Sequence, residues 1–127
     1  MLYFNRILLI FFINLFISCN ENIQLSVEDV KKYDYLNPFI TNDILKFQGI
    51  HNIDSGFFEF SYEVNHLKDF LCKIEEEAKK ESWNKEYLNN NTYLYSKKIE
   101  IYKSETNLVI VKVKFFDDSN RIHFKVE

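Results

Sequence analysis

Only two glycines and one proline occur in 127 residues. A phosphate-cradling loop needs closely spaced glycines, so glycine-rich nucleotide-binding loops are excluded. Pro-rich and Gly/Ser-rich linkers are missing for the same reason. The chain has two cysteines, Cys19 and Cys72, too few for a disulfide framework. It also lacks a basic excess: 16 Lys and Arg stand against 19 Asp and Glu, a formal charge of −3. Nucleic-acid binders draw their affinity from phosphate contacts and carry such an excess, so no nucleic-acid partner is expected. Metal-ligand spacing is absent too. His51, His66 and His123 form no H-x-H or H-x₃-H pair, and the cysteines form no C-x₂-C pair; no metal or cofactor is expected. The length suits one domain and not two.

Aromatic residues, by contrast, make up 17% of the chain, and 17 of the 22 lie beyond residue 18. That share predicts a packed core rather than disorder. The densest chemistry-bearing clusters read as surface. Glu75-Glu76-Glu77 are consecutive on a predicted helix and diverge by about 100° each, so they cannot converge as a carboxylate pair across a cleft. Asp117-Asp118 reads as a turn, because the spaced oxygen ligands of a calcium loop are missing. Cys72 needs a base within reach to act as a nucleophile. His66 lies six positions earlier, about 120° around the helix, so Cys72 reads as a flank residue beside Phe70 and Leu71. No catalytic residue is assigned.

The amino terminus carries the clearest pattern. Residues 1–18 hold one charge, Arg6, then an apolar run from Ile7 to Ile17 broken only by Asn14, then the small Ser18. This is the layout of a secretory signal, and the run is short of the roughly 20 apolar residues of a membrane span. The segment Leu15-Phe16-Ile17-Ser18-Cys19 resembles the lipobox of bacterial lipoprotein precursors. Phe16 departs from the aliphatic residue usual there, while Ser18 and Cys19 fit. The resemblance implies cleavage before Cys19, a diacylglycerol thioether on its sulfur, and acylation of the new amine. Asn20, where lipoproteins of the inner membrane often carry Asp, implies the outer membrane of a bacterial cell envelope. Removal of residues 1–18 leaves 109 residues with 15 basic and 19 acidic side chains, a charge of −4. The resemblance covers these first residues alone.

Beyond the signal, residues 19–42 read as a lipidated tether plus a short helix. NENIQL is polar, and Ser26 with Asp29 has capping-box spacing for a helix over 26–34, ended by Asn37-Pro38. A single α+β domain is expected over 43–127. Leu45, Phe47 and Gly49 alternate with polar residues as a first strand, with a turn at 51–56. In FFEFSYEV, Phe58, Phe60, Tyr62 and Val64 fall on one face of a second strand. Asn65 is placed to cap a helix over 65–81, where Leu67, Phe70, Leu71, Ile74 and Ala78 form an apolar stripe that can run on toward Leu88. Three strands follow: Tyr93 to Lys103, Leu108 to Phe116, and a last one holding Ile122, Phe124 and Val126. The expected order is β-β-α-β-β-β, an antiparallel sheet of about five strands with the amphipathic helix on one face.

Phe57, Glu59, Tyr102 and Phe116 fall off the apolar faces of their strands. Left uncovered, they would form an aromatic, partly acidic interaction surface; covered by the N-terminal segment, they would form a second small core. The expectation is a lipid-anchored module that engages a protein partner at the cell envelope. Two alternatives stand beside it: a small hydrolase or ligand carrier with a pocket between helix and sheet, and a structural envelope component.

Overall fold

The computed structural model describes residues 22–52, 56–102 and 105–127. The expected signal segment and Cys19 lie outside them. Seven strands form one antiparallel sheet: β1 (Asn22–Gln24), β2 (Leu45–Asn52), β3 (Phe58–Glu63), β4 (Asn84–Asn89), β5 (Thr92–Tyr102), β6 (Glu105–Phe116) and β7 (Arg121–Val126). Their spatial order is β1-β2-β3-β7-β6-β5-β4. Two α-helices, α1 (Val27–Lys31) and α2 (Leu67–Lys80), and a 3-10 segment (Asp34–Phe39) complete the described elements.

The architecture is mostly β, with few helices, and the expected five strands become seven. The two additions are the edge strands. NENIQL reads as a tether because it is polar, yet Asn22–Gln24 pairs with Asn52, His51 and Ile50 of β2. Residues 84–89 read as an extension of α2, yet all six are exposed and the segment pairs with β5. An edge strand that buries neither face shows no alternation, so hydrophobic periodicity does not reveal it.

One face of the sheet is apolar and covered. The alternation in β3 sends Phe58, Phe60 and Tyr62 inward, and their register partners on β7 are Val126, Phe124 and Ile122. Val109, Val111, Val113 and Phe115 continue that face across β6, and Tyr95 across β5. Leu67, Phe70, Ile74 and Ala78 of α2 pack over it. Stacked rings run through the centre, with Phe60 and Phe124 centroids 4.8 Å apart and Tyr62 and Phe124 5.3 Å apart. Such pairs add about 0.5–1.5 kcal/mol each beyond their buried area.

Residues 22–42 pack with this core. Ser26 and Asp29 make the expected capping box, and the two hydrogen bonds from Ser26 hold the Asp29 carboxyl below its ordinary pKa. The helix they start is shorter than expected. It stops at Lys31, and the chain re-forms as the 3-10 segment with Pro38 inside it, so Asn37-Pro38 ends nothing there. That segment brings Leu36 and Phe39 fully inside. The Phe39 ring meets Trp83, Tyr95 and Phe124 edge-on at 5.1, 5.3 and 6.1 Å, and its carbonyl accepts a hydrogen bond from the buried Tyr62 hydroxyl.

Two local features fix the ends of elements. Helix α2 begins after His66 rather than Asn65, with no side-chain cap. It closes with Ser82 in the left-handed region at φ 65°, Ser82 N–H donating to the Lys79 carbonyl and Trp83 N–H to that of Ala78. This is a Schellman ending with serine at the position glycine usually fills. On β2, Gly49 lets Leu25 lie against it: a Cβ there would stand 2.9 Å from the Leu25 Cβ. Leu25 N–H also donates to the Gly49 carbonyl, at 2.8 Å. The missing side chain is therefore what lets the chain leaving β1 dock.

Candidate functional site

All the described helices lie on one side, and among the described residues no element covers the second face of the sheet. Strand alternation and register define its rows. One row runs Gln24, Ile50, Glu59, Lys125, Lys112, Leu94 and Glu86 across all seven strands. The next runs Gln48, Ser61, His123, Lys114 and Thr92. Below it, Glu63, Arg121 and Phe116 sit side by side. The face therefore has an acidic strand, β3, next to two basic strands, β7 and β6.

The contacts follow this layout. The Arg121 guanidinium lies over Ser61, donating to its Oγ at 2.7 Å and to Gln48 Oε1 at 3.0 Å, and stands 3.8 Å from Glu63. Lys46 is a second cation on Glu63, at 3.4 Å. Lys125 is 3.2 Å from Glu127 and 4.6 Å from the centre of the Phe57 ring. His123 Nε2 is 3.6 Å from Glu59, an approach that invites an ion pair. Burial works against it: desolvation holds the His123 pKa below its ordinary value, and Arg121, Lys114 and Lys125 add to that against the opposing pull of Glu59. The net downward shift disfavours the charged imidazole that an ion pair with Glu59 would need. A shallow trough of about 230 Å³ runs here, walled by Ile50, Glu59, Arg121 and His123 with Ser61 on its floor.

The expected surface residues are dispersed. Phe57 is half-buried beneath Lys125, and Glu59 lies opposite Lys125 in the register. Phe116 is 37% exposed at the other end of β6, with the Lys114 ammonium 5.5 Å from its ring centre. Tyr102 closes β5 opposite Glu105, and its side chain lies outside the described residues. Phe57 and Glu59 thus share a neighbourhood through Lys125, while Phe116 stands apart. The N-terminal segment packs on the opposite side, so the second small core does not form over them. What sequence reading missed is the basic column: the polar positions of VKVKFF and RIHFKV are Lys112, Lys114, Arg121, His123 and Lys125. The alternation that marks those strands already put them on one face.

The space between α2 and the sheet is filled by the core. The wider depression, about 630 Å³, opens at the start of α2 between Asn65, His66, Asp69, Asp117 and Asn120. A neighbouring one of about 220 Å³ shares Asn65, His66 and Asp69 and adds Asp43 and Lys73. Cys72 is exposed on α2, and His51 sits edge-on to Phe58 on the covered side. Among the described residues no three His, Cys, Asp or Glu side chains gather to hold a metal ion, and no helix is long and apolar enough to cross a membrane. Comparison with protein-family models, curated proteins and solved structures finds no match.

Proposed function

We propose that this chain is a lipid-anchored interaction module of a bacterial cell envelope, held by Cys19 and binding a protein partner through the open face of its sheet. The observation that carries the reading is the one-sided cover. A seven-stranded sheet packs its apolar core on one face and leaves on the other Leu108 at 57% and Ile50 at 50% exposure among charged side chains. An uncovered sheet face with exposed aliphatic side chains among charges of both signs offers a protein partner both apolar contact and charge complementarity.

The anchor fits the strand order. Strand β1 starts at Asn22, three residues after Cys19. Three residues span at most about 11 Å, so acyl chains on Cys19 would keep the β1 edge close to the bilayer. A diacylglyceryl group supplies two chains at once, which is what firm anchoring needs.

The test is Cys19→Ala with metabolic fatty-acid labelling and detergent phase partition. Wild type should take up label and enter the detergent phase; the variant should take up none and either stay aqueous or accumulate as precursor. Equal labelling of the two proteins would refute the anchor.

A further inference from the structure

We propose that the basic column of β6 and β7 receives an acidic segment of the protein partner. The proposal rests on the interaction reading above and adds to it the chemistry of what is bound.

The register places Lys112 directly opposite Lys125 and Lys114 directly opposite His123. Lys112 and Lys125 are thus like charges at directly opposed positions of neighbouring strands, a destabilising pairing that the sheet nevertheless keeps. The whole chain is acidic, at −3, yet the open-face positions of these two strands hold no carboxylate between Lys112 and Lys125. Internal relief reaches only part of the column. Arg121 has Glu63 and Lys125 has Glu127, while Lys112 and Lys114 have no salt bridge among the described residues. Leu94, opposite Lys112, and the exposed Leu108 along β6 give the column an aliphatic margin. A partner segment bearing carboxylates two residues apart would match the spacing of Lys112 and Lys114, because alternate residues of a strand share a face.

A phosphate-rich membrane surface fits less well. Glu59 and Glu63 lie one strand from β7 and would be pressed into the headgroups. A fixed stripe of both signs with apolar gaps is read by a protein carrying the complementary stripe.

The experiment uses the full chain in nonionic detergent with fluorescent decaglutamate as probe and decaglutamine as control, followed by anisotropy at low and high salt. Wild type should bind decaglutamate, and salt should weaken the binding. The double variant Lys112→Glu, Lys114→Glu should lose about tenfold or more in affinity. The same reversal at Lys68 and Lys79, exposed on α2, should leave it unchanged. Lys112→Gln with Lys114→Gln, checked by circular dichroism, guards against misfolding and should show an intermediate loss. Equal loss from the α2 variant, or equal binding of decaglutamine, overturns the proposal. So does a sheet-face variant that loses binding to phosphatidylglycerol vesicles while keeping decaglutamate. A photo-crosslinker in place of Leu94 separates the two levels in cells. An adduct mapping to an acidic partner segment supports both readings. An adduct to a segment without carboxylates overturns this proposal and leaves the interaction module standing, and failure to form any adduct sinks both.

Discussion

Tyr62→Phe removes a single oxygen atom from the centre of the fold. The Tyr62 hydroxyl is fully buried and donates to the Phe39 carbonyl, joining β3 to the 3-10 segment across 23 residues of chain. The substitution keeps the ring, and with it the stacking on Phe60 and Phe124. It leaves a buried carbonyl without its donor. Losing one partner of a buried hydrogen bond costs about 1–3 kcal/mol, and the fully enclosed site argues for about 2. For a domain of this size that lowers Tm by about 10 °C. The alkaline limb supplies an independent readout. Burial pushes the Tyr62 pKa well above its ordinary value, so the folded state disfavours its ionisation. The stability this group contributes is complete below the unfolded pKa of about 10 and is lost as pH rises beyond it. Tyr62→Phe should therefore unfold less steeply above that pH, although Tyr35, Tyr93 and Tyr95 are raised as well and keep part of the slope. Urea melts at neutral and alkaline pH measure both effects, with Tyr87→Phe, at an exposed edge-strand position, as control. A Tm for Tyr62→Phe within about 2 °C of wild type would show that the link carries no net stability.

Gly49→Ala puts a Cβ 2.9 Å from that of Leu25, so Leu25 must move; the expected loss is about 1–3 kcal/mol, with faster amide exchange in β1. An unchanged melt would show that the contact yields freely. Ser82→Gly removes a side chain from a left-handed residue at φ 65° and should stabilise by about 0.5–1 kcal/mol in denaturant titration, where a decrease would mean that the serine makes a contact of its own. His123 has a lowered folded pKa, so the unfolded chain takes the proton first. The stability it contributes is present above the unfolded pKa of about 6.5 and is lost as pH falls toward the folded value. His123→Gln should flatten stability against pH in that window, and an equally steep fall in the variant would assign the acid limb to other groups.

The amphipathic elements were legible because burial on one side writes a period into the sequence. The stripe Leu67, Phe70, Ile74, Ala78 marks α2 to within two residues at each end, and Phe58, Phe60, Tyr62 marks the inward face of β3. The edges were not legible. Asn22–Gln24 and Asn84–Asn89 are strands because a neighbour offers them hydrogen bonds, and no residue preference in them records it. The 3-10 segment was hidden for another reason: Leu36 and Phe39 are buried at a spacing of three, but one such pair is too short a pattern to mark an element, and Pro38 beside them reads as a stop. For the site, the charge alternation in β6 and β7 is visible in the sequence, but the net charge of −3 does not record that the cations gather on one face. Only the register shows that Lys112 faces Lys125.

The place of β7 governs when this chain can fold. The strand lies between β3 and β6, pairing with both along its full length from Arg121 to Val126. During synthesis, β3 and its 57 or so predecessors emerge long before the strand that must join them to β6. Until then two inner edges stand unpaired, one bearing Phe58, Phe60 and Tyr62 and the other Val111, Val113 and Phe115. Such edges invite pairing with other chains. A chain truncated before residue 121 would hold two halves of a sheet with nothing to close them.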